Sequence, residues 1–109
     1  MAGLEIRPAE FLVLADGQPL PLTVRELQLL VALVDRQGRI VPRAELYAVV
    51  WGQPFRKEER SVDVYVRKLR TKLSERLPEW RFIHTHFGFG YRFAPERPSH
   101  VFHIPATDR

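Results

Sequence analysis

Residues 60–77, RSVDVYVRKLRTKLSERL, constrain the fold more than any other stretch of the chain. At about 100° per residue, Val62, Val66, Leu69 and Leu73 share one narrow face, and Leu77 extends it. That is the spacing of a helix docked on a core. Arg60, Ser61, Val64, Arg67, Lys68 and Thr71 fall on the far side with Lys72 at its margin, so the outward surface is cationic. Asp63 faces Arg67 one turn away and is expected to orient that side chain rather than touch an anion itself.

The basic face has two readings. It is either a solvated surface that binds nothing, or the outward side of a recognition helix lying in a DNA major groove, where Val64 can pack against a thymine methyl. A formal excess of +4 favours an anionic partner, although an excess this small alone can serve solubility only, and what weighs for the second reading is that the cations cluster on this helix. The chain's 109 residues, 45% of them hydrophobic, allow one domain with a modest core. The sequence contains no cysteine, so it offers no disulfide framework and no thiolate metal site. No apolar run approaches a membrane span and MAGLEIRP lacks the regions of a signal peptide, which makes a cytoplasmic setting the expectation.

Taken in order, Leu4–Ile6, Phe11–Leu14 and Gln18–Leu20 read as short antiparallel strands, with Asp16-Gly17 as a hairpin turn. Thr23-Val-Arg-Glu26 is a capping box. It opens a helix with a wide apolar face of Leu27, Leu29, Leu30, Val31, Leu33 and Val34, ended by Gly38. Ile40-Val41 is extended, and a second helix runs from Arg43 to Val50 with Leu46, Val49 and Val50 inward and Pro42 in its first turn. Trp51-Gly52-Gln53-Pro54-Phe55 stops it. Trp51 and Phe55 either close the core beneath the following loop or form an interaction surface. Two helices, the second basic, make a helix-turn-helix with a loop longer than usual. The recognition helix spans about 58–77 and ends at Pro78. Residues 80–85 and 91–93 flank His86-Phe87-Gly88-Phe89-Gly90 as a hairpin, the wing of a winged helix. The tail, 94–109, is expected to be extended or partly disordered, with Val101–Ile104 able to pair with a sheet edge.

These segments resemble the C-terminal winged-helix effector domain of OmpR/PhoB-type response regulators. The resemblance rests on Asp16-Gly17 before Leu22–Glu26, on Gly38–Arg43, Val50-Trp51-Gly52 and Arg60–Arg70, and on Gly88-Phe89-Gly90-Tyr91-Arg92-Phe93. It covers residues 4–93. It implies an α+β winged helix-turn-helix over residues 1–93, with an N-terminal four-stranded antiparallel sheet, a three-helix core and a C-terminal hairpin wing. It also implies transcriptional regulation through sequence-specific binding of double-stranded promoter DNA, as the effector domain of a two-component or orphan response regulator. Direct-repeat sites, head-to-tail pairs on DNA and a loop (51–57) open to RNA polymerase belong to the same implication.

On that comparison Val64, Tyr65 and Lys68 are nearest to base edges. Trp51, Arg60, Ser61, Arg67, Arg70 and Thr85 meet phosphates, and the wing (81–93), with His86 and Phe87, lies near the minor groove. Lys68 can donate to guanine acceptors, and the forked donors of Arg60, Arg67 and Arg70 suit phosphate oxygens. Tyr65 has the alternative role of a half-buried residue at the core rim. The chain departs from the family at Phe87, where many members carry arginine, and at Pro42, where the second helix usually has a hydroxyl cap. No receiver segment is present in these residues.

Other functions find less support. No nucleophile–base pairing is visible, so no enzyme and no cofactor are expected. His84 and His86 alternate on one strand face and His100 and His103 can approach from the tail, a zinc donor set weighed against ordinary hydrogen bonding, and no metal is expected. A winged helix that binds only protein is the alternative to DNA binding.

Overall fold

The computed structural model describes residues 2–56 and 58–97. Strands β1 (Leu4–Arg7), β2 (Leu12–Ala15) and β3 (Gln18–Pro19) form an antiparallel sheet in that order. Asp16 and Gly17 have φ of 50° and 80°, the two positive values of a type I′ turn, so the Asp-Gly hairpin is as expected. The sheet has three strands rather than the four implied by the resemblance. Phe11, expected to open a strand, has φ 51° behind a single 3-10 turn at Pro8–Glu10 and is exposed. Proline's fixed φ favours that turn, and the strand begins at Leu12.

Helix α1 (Val24–Asp35) starts at the expected capping box. Thr23 Oγ1 accepts from the Glu26 N–H at 3.2 Å, and Glu26 Oε1 accepts from the Thr23 N–H at 2.8 Å. Leu27, Leu29, Leu30 and Leu33 are buried, with Val31 and Val34 packed at their edge. The helix ends before Gly38, whose φ of 84° turns the chain outward and whose N–H donates 2.9 Å to the Phe93 carbonyl. Gly38 therefore ties the turn after the helix to the C-terminal sheet.

Strand β4 (Ile40–Val41) leads into α2 (Arg43–Trp51), which has Pro42 at its N-cap without a side-chain hydrogen bond and Gly52 as its left-handed C-cap. The helix runs one residue past Val50. Its inward face is Leu46, Tyr47 and Val50, whereas Val49 is half exposed, contrary to expectation. Tyr47 takes the place because its ring stacks on Trp51, with centroids 5.2 Å apart and planes at 9°, and large aromatic area outweighs one exposed Val.

Helix α3 (Ser61–Arg76) buries Val62, Val66, Leu69 and Leu73, followed by buried Leu77 at its C-cap, so the whole stripe is inward. It packs on both α1 and α2. Burying each such aliphatic side chain contributes about 1.5–3 kcal/mol. Strands β5 (Arg81–His86) and β6 (Gly90–Glu96) form the expected hairpin. β4 joins it at the other edge of β6, pairing Val41 with Tyr91 and giving the order β4-β6-β5. β6 runs to Glu96, so residues 94–96 belong to the sheet instead of the tail. Residues 98–109, with the proposed Val101–Ile104 strand and both tail histidines, lie outside the described residues.

Candidate nucleic-acid interface

The α3 face opposite the buried stripe carries Arg67, Lys68 and Thr71, all exposed, with Val64 and Tyr65 half-buried beside them. Lys68 Nζ stands 4.9 Å over the Tyr65 ring. That contact holds the ammonium near the helix surface by cation–π attraction. Tyr65 meets Trp51 edge-on at 5.5 Å, and Tyr47 meets Phe55 edge-on at 5.8 Å, so Trp51 and Phe55 close the core rim. The Arg25 guanidinium lies 5.0 Å over Trp51 and donates 3.0 Å to the Val50 carbonyl.

Arg60 is at the N-cap of α3 and Ser61 is its first residue. The Ser61 hydroxyl and N–H both donate to Glu59, and the Ser61 hydroxyl is the main cause that holds the Glu59 carboxyl below its ordinary range. Arg70 is half-buried. Its guanidinium donates to the Ile83 carbonyl at 2.9 Å and to Thr85 Oγ1 at 2.6 Å, bolting the wing to α3. Burial pulls its pKa down despite the attraction of Tyr91.

Asp63 does not orient Arg67. Its two oxygens accept from Arg43 Nη1 at 2.8 Å and from the Tyr91 hydroxyl at 2.5 Å, so one carboxylate joins the start of α2, the first turn of α3 and β6. A same-helix ion pair is worth only a few tenths of a kcal/mol, and a half-buried carboxylate with two tertiary donors is better satisfied. Burial, followed by the bond and charge of Asp63, pushes the Tyr91 hydroxyl up to about 12. Tyr91→Phe should lower stability by about 1.5–3 kcal/mol, the worth of a hydrogen bond to a charged group. Urea denaturation of the two proteins measures it.

His84 donates 2.7 Å to the Ala94 carbonyl, and His86 Nε2 accepts from Arg92 Nε at 3.0 Å. Among the described residues no three His, Cys, Asp or Glu side chains gather as a metal set. The wing tip presents Phe87, 88% exposed, and Phe89, 73% exposed.

Over residues 17–93 the chain matches the family described as "Transcriptional regulatory protein, C terminal". It belongs to this family of OmpR/PhoB-type effector domains. The transcriptional regulatory protein HprR of Escherichia coli is 37% identical over 93 residues, covering 85% of this chain and 41% of the relative. YclJ, an uncharacterized transcriptional regulatory protein of Bacillus subtilis, is 42% identical over 83 residues, covering 74% and 35%. The chain thus spans about two fifths of the length of these curated relatives. Among solved structures, the Klebsiella pneumoniae RstA DNA-binding domain in complex with its RstA box superposes with a TM-score of 0.78 at 32% identity, covering 86% of this chain and 93% of that one.

In this effector domain two cations that local spacing does not assign to the site, Arg25 over Trp51 and Arg43 beside Asp63, are brought there by packing. Arg43 sits twenty positions before Asp63 in the chain, yet its guanidinium reaches the first turn of α3. The sequence starts a helix at Arg43 but gives no sign of which side chain its guanidinium meets. Lys72, placed at the margin of the basic face, instead turns inward to buried Glu26 at 2.6 Å.

Proposed function

We propose that this domain binds double-stranded promoter DNA in a sequence-dependent way and thereby regulates transcription, with α3 in the major groove. The observation that carries this reading is the α3 face itself, where Arg67 and Lys68 stand exposed while the acidic residue of the first turn, Asp63, is drawn aside by Arg43 and Tyr91. Family membership and the RstA complex support it. Lys68, Val64 and Tyr65 face base edges, with the Lys68 ammonium donating to guanine acceptors. Arg60, Arg67, Trp51 and the joined pair Arg70 and Thr85 meet flanking phosphates. Ser61 is the weakest of that set, because its hydroxyl already donates to Glu59. The loop after α2 is the surface offered to RNA polymerase, tandem copies occupy direct repeats head to tail, and the working compartment is the cytoplasm.

Binding should weaken steeply as salt rises, because phosphate contacts release counterions. Lys68→Ala should cost about 1–3 kcal/mol and relax selection at one or two base pairs. Arg67→Ala should weaken binding to all sequences alike and flatten the salt slope by about one. In vitro selection of bound sites, followed by gel shifts on matched and scrambled duplexes, checks all three. Equal affinity for matched and scrambled DNA would overturn the proposal and leave a protein-binding winged helix.

A further inference from the structure

Side chains from all three helices form one continuous row of contacts. Arg25, half-buried in the first turn of α1, sets its guanidinium carbon 5.0 Å from the centre of the Trp51 ring, at the end of α2. Trp51 meets Tyr65 of α3 edge-on at 5.5 Å and 71°, and Tyr65 carries Lys68 Nζ 4.9 Å from its own ring centre. The row begins and ends in a cation, with two aromatic rings between. Arg43 and Lys72 are held differently, by the carboxylates of Asp63 and Glu26. Among the described residues Arg25 and Lys68 pair with no carboxylate, and each is placed by a ring.

Trp51 needs an anchor for a local reason. It is the last residue of α2, and the final carbonyls of a helix have no donors within it. The carbonyl of Val50 would look to Pro54, which has no N–H to give. Arg25 Nη1 donates to that carbonyl at 3.0 Å, and positive charge at a helix C-terminus is favourable. One guanidinium therefore closes α2 and lies over the indole, fixing both the helix end and the ring that projects from it. Tyr47, stacked on Trp51 at 5.2 Å, supplies the apolar support. On α3, Tyr65 and Lys68 are three residues apart and so are neighbours on the helix surface. A lysine stem is flexible, which leaves the ring beneath it to decide where the ammonium stands.

We infer that Arg25 is a positioning residue for DNA recognition: acting through Trp51 and Tyr65, it sets the place from which Lys68 meets base edges. It does so from α1, not from the helix proposed to lie in the major groove. This inference rests on the DNA-binding reading above. An ammonium ordered before binding loses less freedom when its contact forms. It also separates guanine acceptors from the wrong base more sharply, because discrimination depends on a fixed donor position.

The test compares wild type with Arg25→Gln, Lys68→Ala and the double variant, on a matched duplex and on duplexes changed at single base pairs. Arg25→Gln should lose roughly two- to fivefold of the discrimination at the base pairs that Lys68→Ala also relaxes, the scale of one cation–π contact. Its salt slope should equal that of wild type. In the Lys68→Ala background the same substitution should cause no further loss of discrimination there. In the DNA-free domain the ε-methylene protons of Lys68, shielded by the Tyr65 ring, should move toward the shift of a free lysine in Arg25→Gln, a change that lost stability alone does not produce. Arg25→Lys, which keeps a cation for the indole, should restore both readouts. If Arg25→Gln fails to fold, Arg25→Met fills the same space without charge and makes the same comparison. Unchanged discrimination in a folded Arg25 variant, or a loss that simply adds to that of Lys68→Ala, overturns the inference and leaves the DNA-binding proposal standing. A salt slope flattened by about one also overturns it, because Arg25 is then itself a phosphate contact. If wild type binds matched and scrambled duplexes equally, both readings fall together.

Discussion

Gly90→Ala should unfold the C-terminal sheet at its junction with β4, at a cost of about 3 kcal/mol or more. A Cβ built on Gly90 lies 2.0 Å from the Val41 carbonyl oxygen and 2.7 Å from its carbon, and 3.0 Å from Pro42 Cα. All three are backbone atoms, which no rotamer change can move. The residue also has φ +145°, a region essentially reserved for glycine, which adds about 1–3 kcal/mol of strain. Relief requires β4 to separate from β6, and that separation exposes Val41, which is fully buried, and Tyr91. Tyr91 then loses its hold on Asp63, so the wing and the first turn of α3 come apart together. Urea unfolding gives the total cost, and amide exchange at Ile40 and Val41 should speed up before global unfolding. Gly17→Ala is the control. It has a similarly positive φ of 80° but nothing within 4 Å, so strain alone applies and the loss stays near 1 kcal/mol.

Glu26→Ala should cost about 3 kcal/mol and lower the melting temperature by roughly 15 °C for a domain of this size. Glu26 is only 2% exposed, and its carboxylate works in two directions. It caps α1 through the Thr23 N–H and receives Lys72 Nζ at 2.6 Å from α3. Removing it leaves the Thr23 N–H without its acceptor and an ammonium beside the core, while the Thr23 hydroxyl still caps the helix. The loss stays at the lower end for a broken buried pair because Lys72 is one-third exposed and can turn to water.

The same residue sets an acid limit. Burial pushes the Glu26 carboxyl up, but the hydrogen bond from Lys72, the Thr23 N–H and the Lys72 charge together bring it below its ordinary value. A carboxyl lowered by folding contributes stability at every pH above its unfolded value and loses that contribution as pH falls through the folded value. Wild type should therefore weaken on acidification below about pH 4.3, the unfolded glutamate range. Thermal melting between pH 7 and pH 3 should show a smaller acid decrement for Glu26→Gln, which has no proton to take up at that site. An equal decrement in both proteins would remove Glu26 as the source.

Local chemistry carries much of this fold. The period of Val62, Val66, Leu69, Leu73 and Leu77 determines which side of α3 is inward, because only one face of a helix at that spacing can be dry. The Thr23–Glu26 box and the Asp16-Gly17 pair announce a helix start and a hairpin for reasons internal to four residues or fewer. Boundaries were less legible. Val49 satisfies helical spacing yet lies outward, since Tyr47 can reach Trp51 and bury more area. β6 outruns its expected end at Phe93 because β5 continues to offer it partners as far as Arg81.

The candidate site divides in the same way. That Arg67 and Lys68 are outward follows from the stripe alone, since residues opposite a buried face have nowhere else to point. Which charges remain available to a ligand does not follow. Lys72 and Asp63 look alike in sequence, each a charged residue flanking the basic face, but tertiary partners 46 and 28 residues away claim them. The pairing of β4 with β6, the bolt from Arg70 to the wing and the arrival of Arg43 at α3 are likewise invisible to any local pattern. Periodicity and capping act over one or two turns of chain, so the sequence by itself determines the elements and their faces. Hydrogen bonds and ion pairs form between whatever groups packing brings within about 3 Å, so only the tertiary structure decides which polar side chains are spent on holding the domain and which are left to bind.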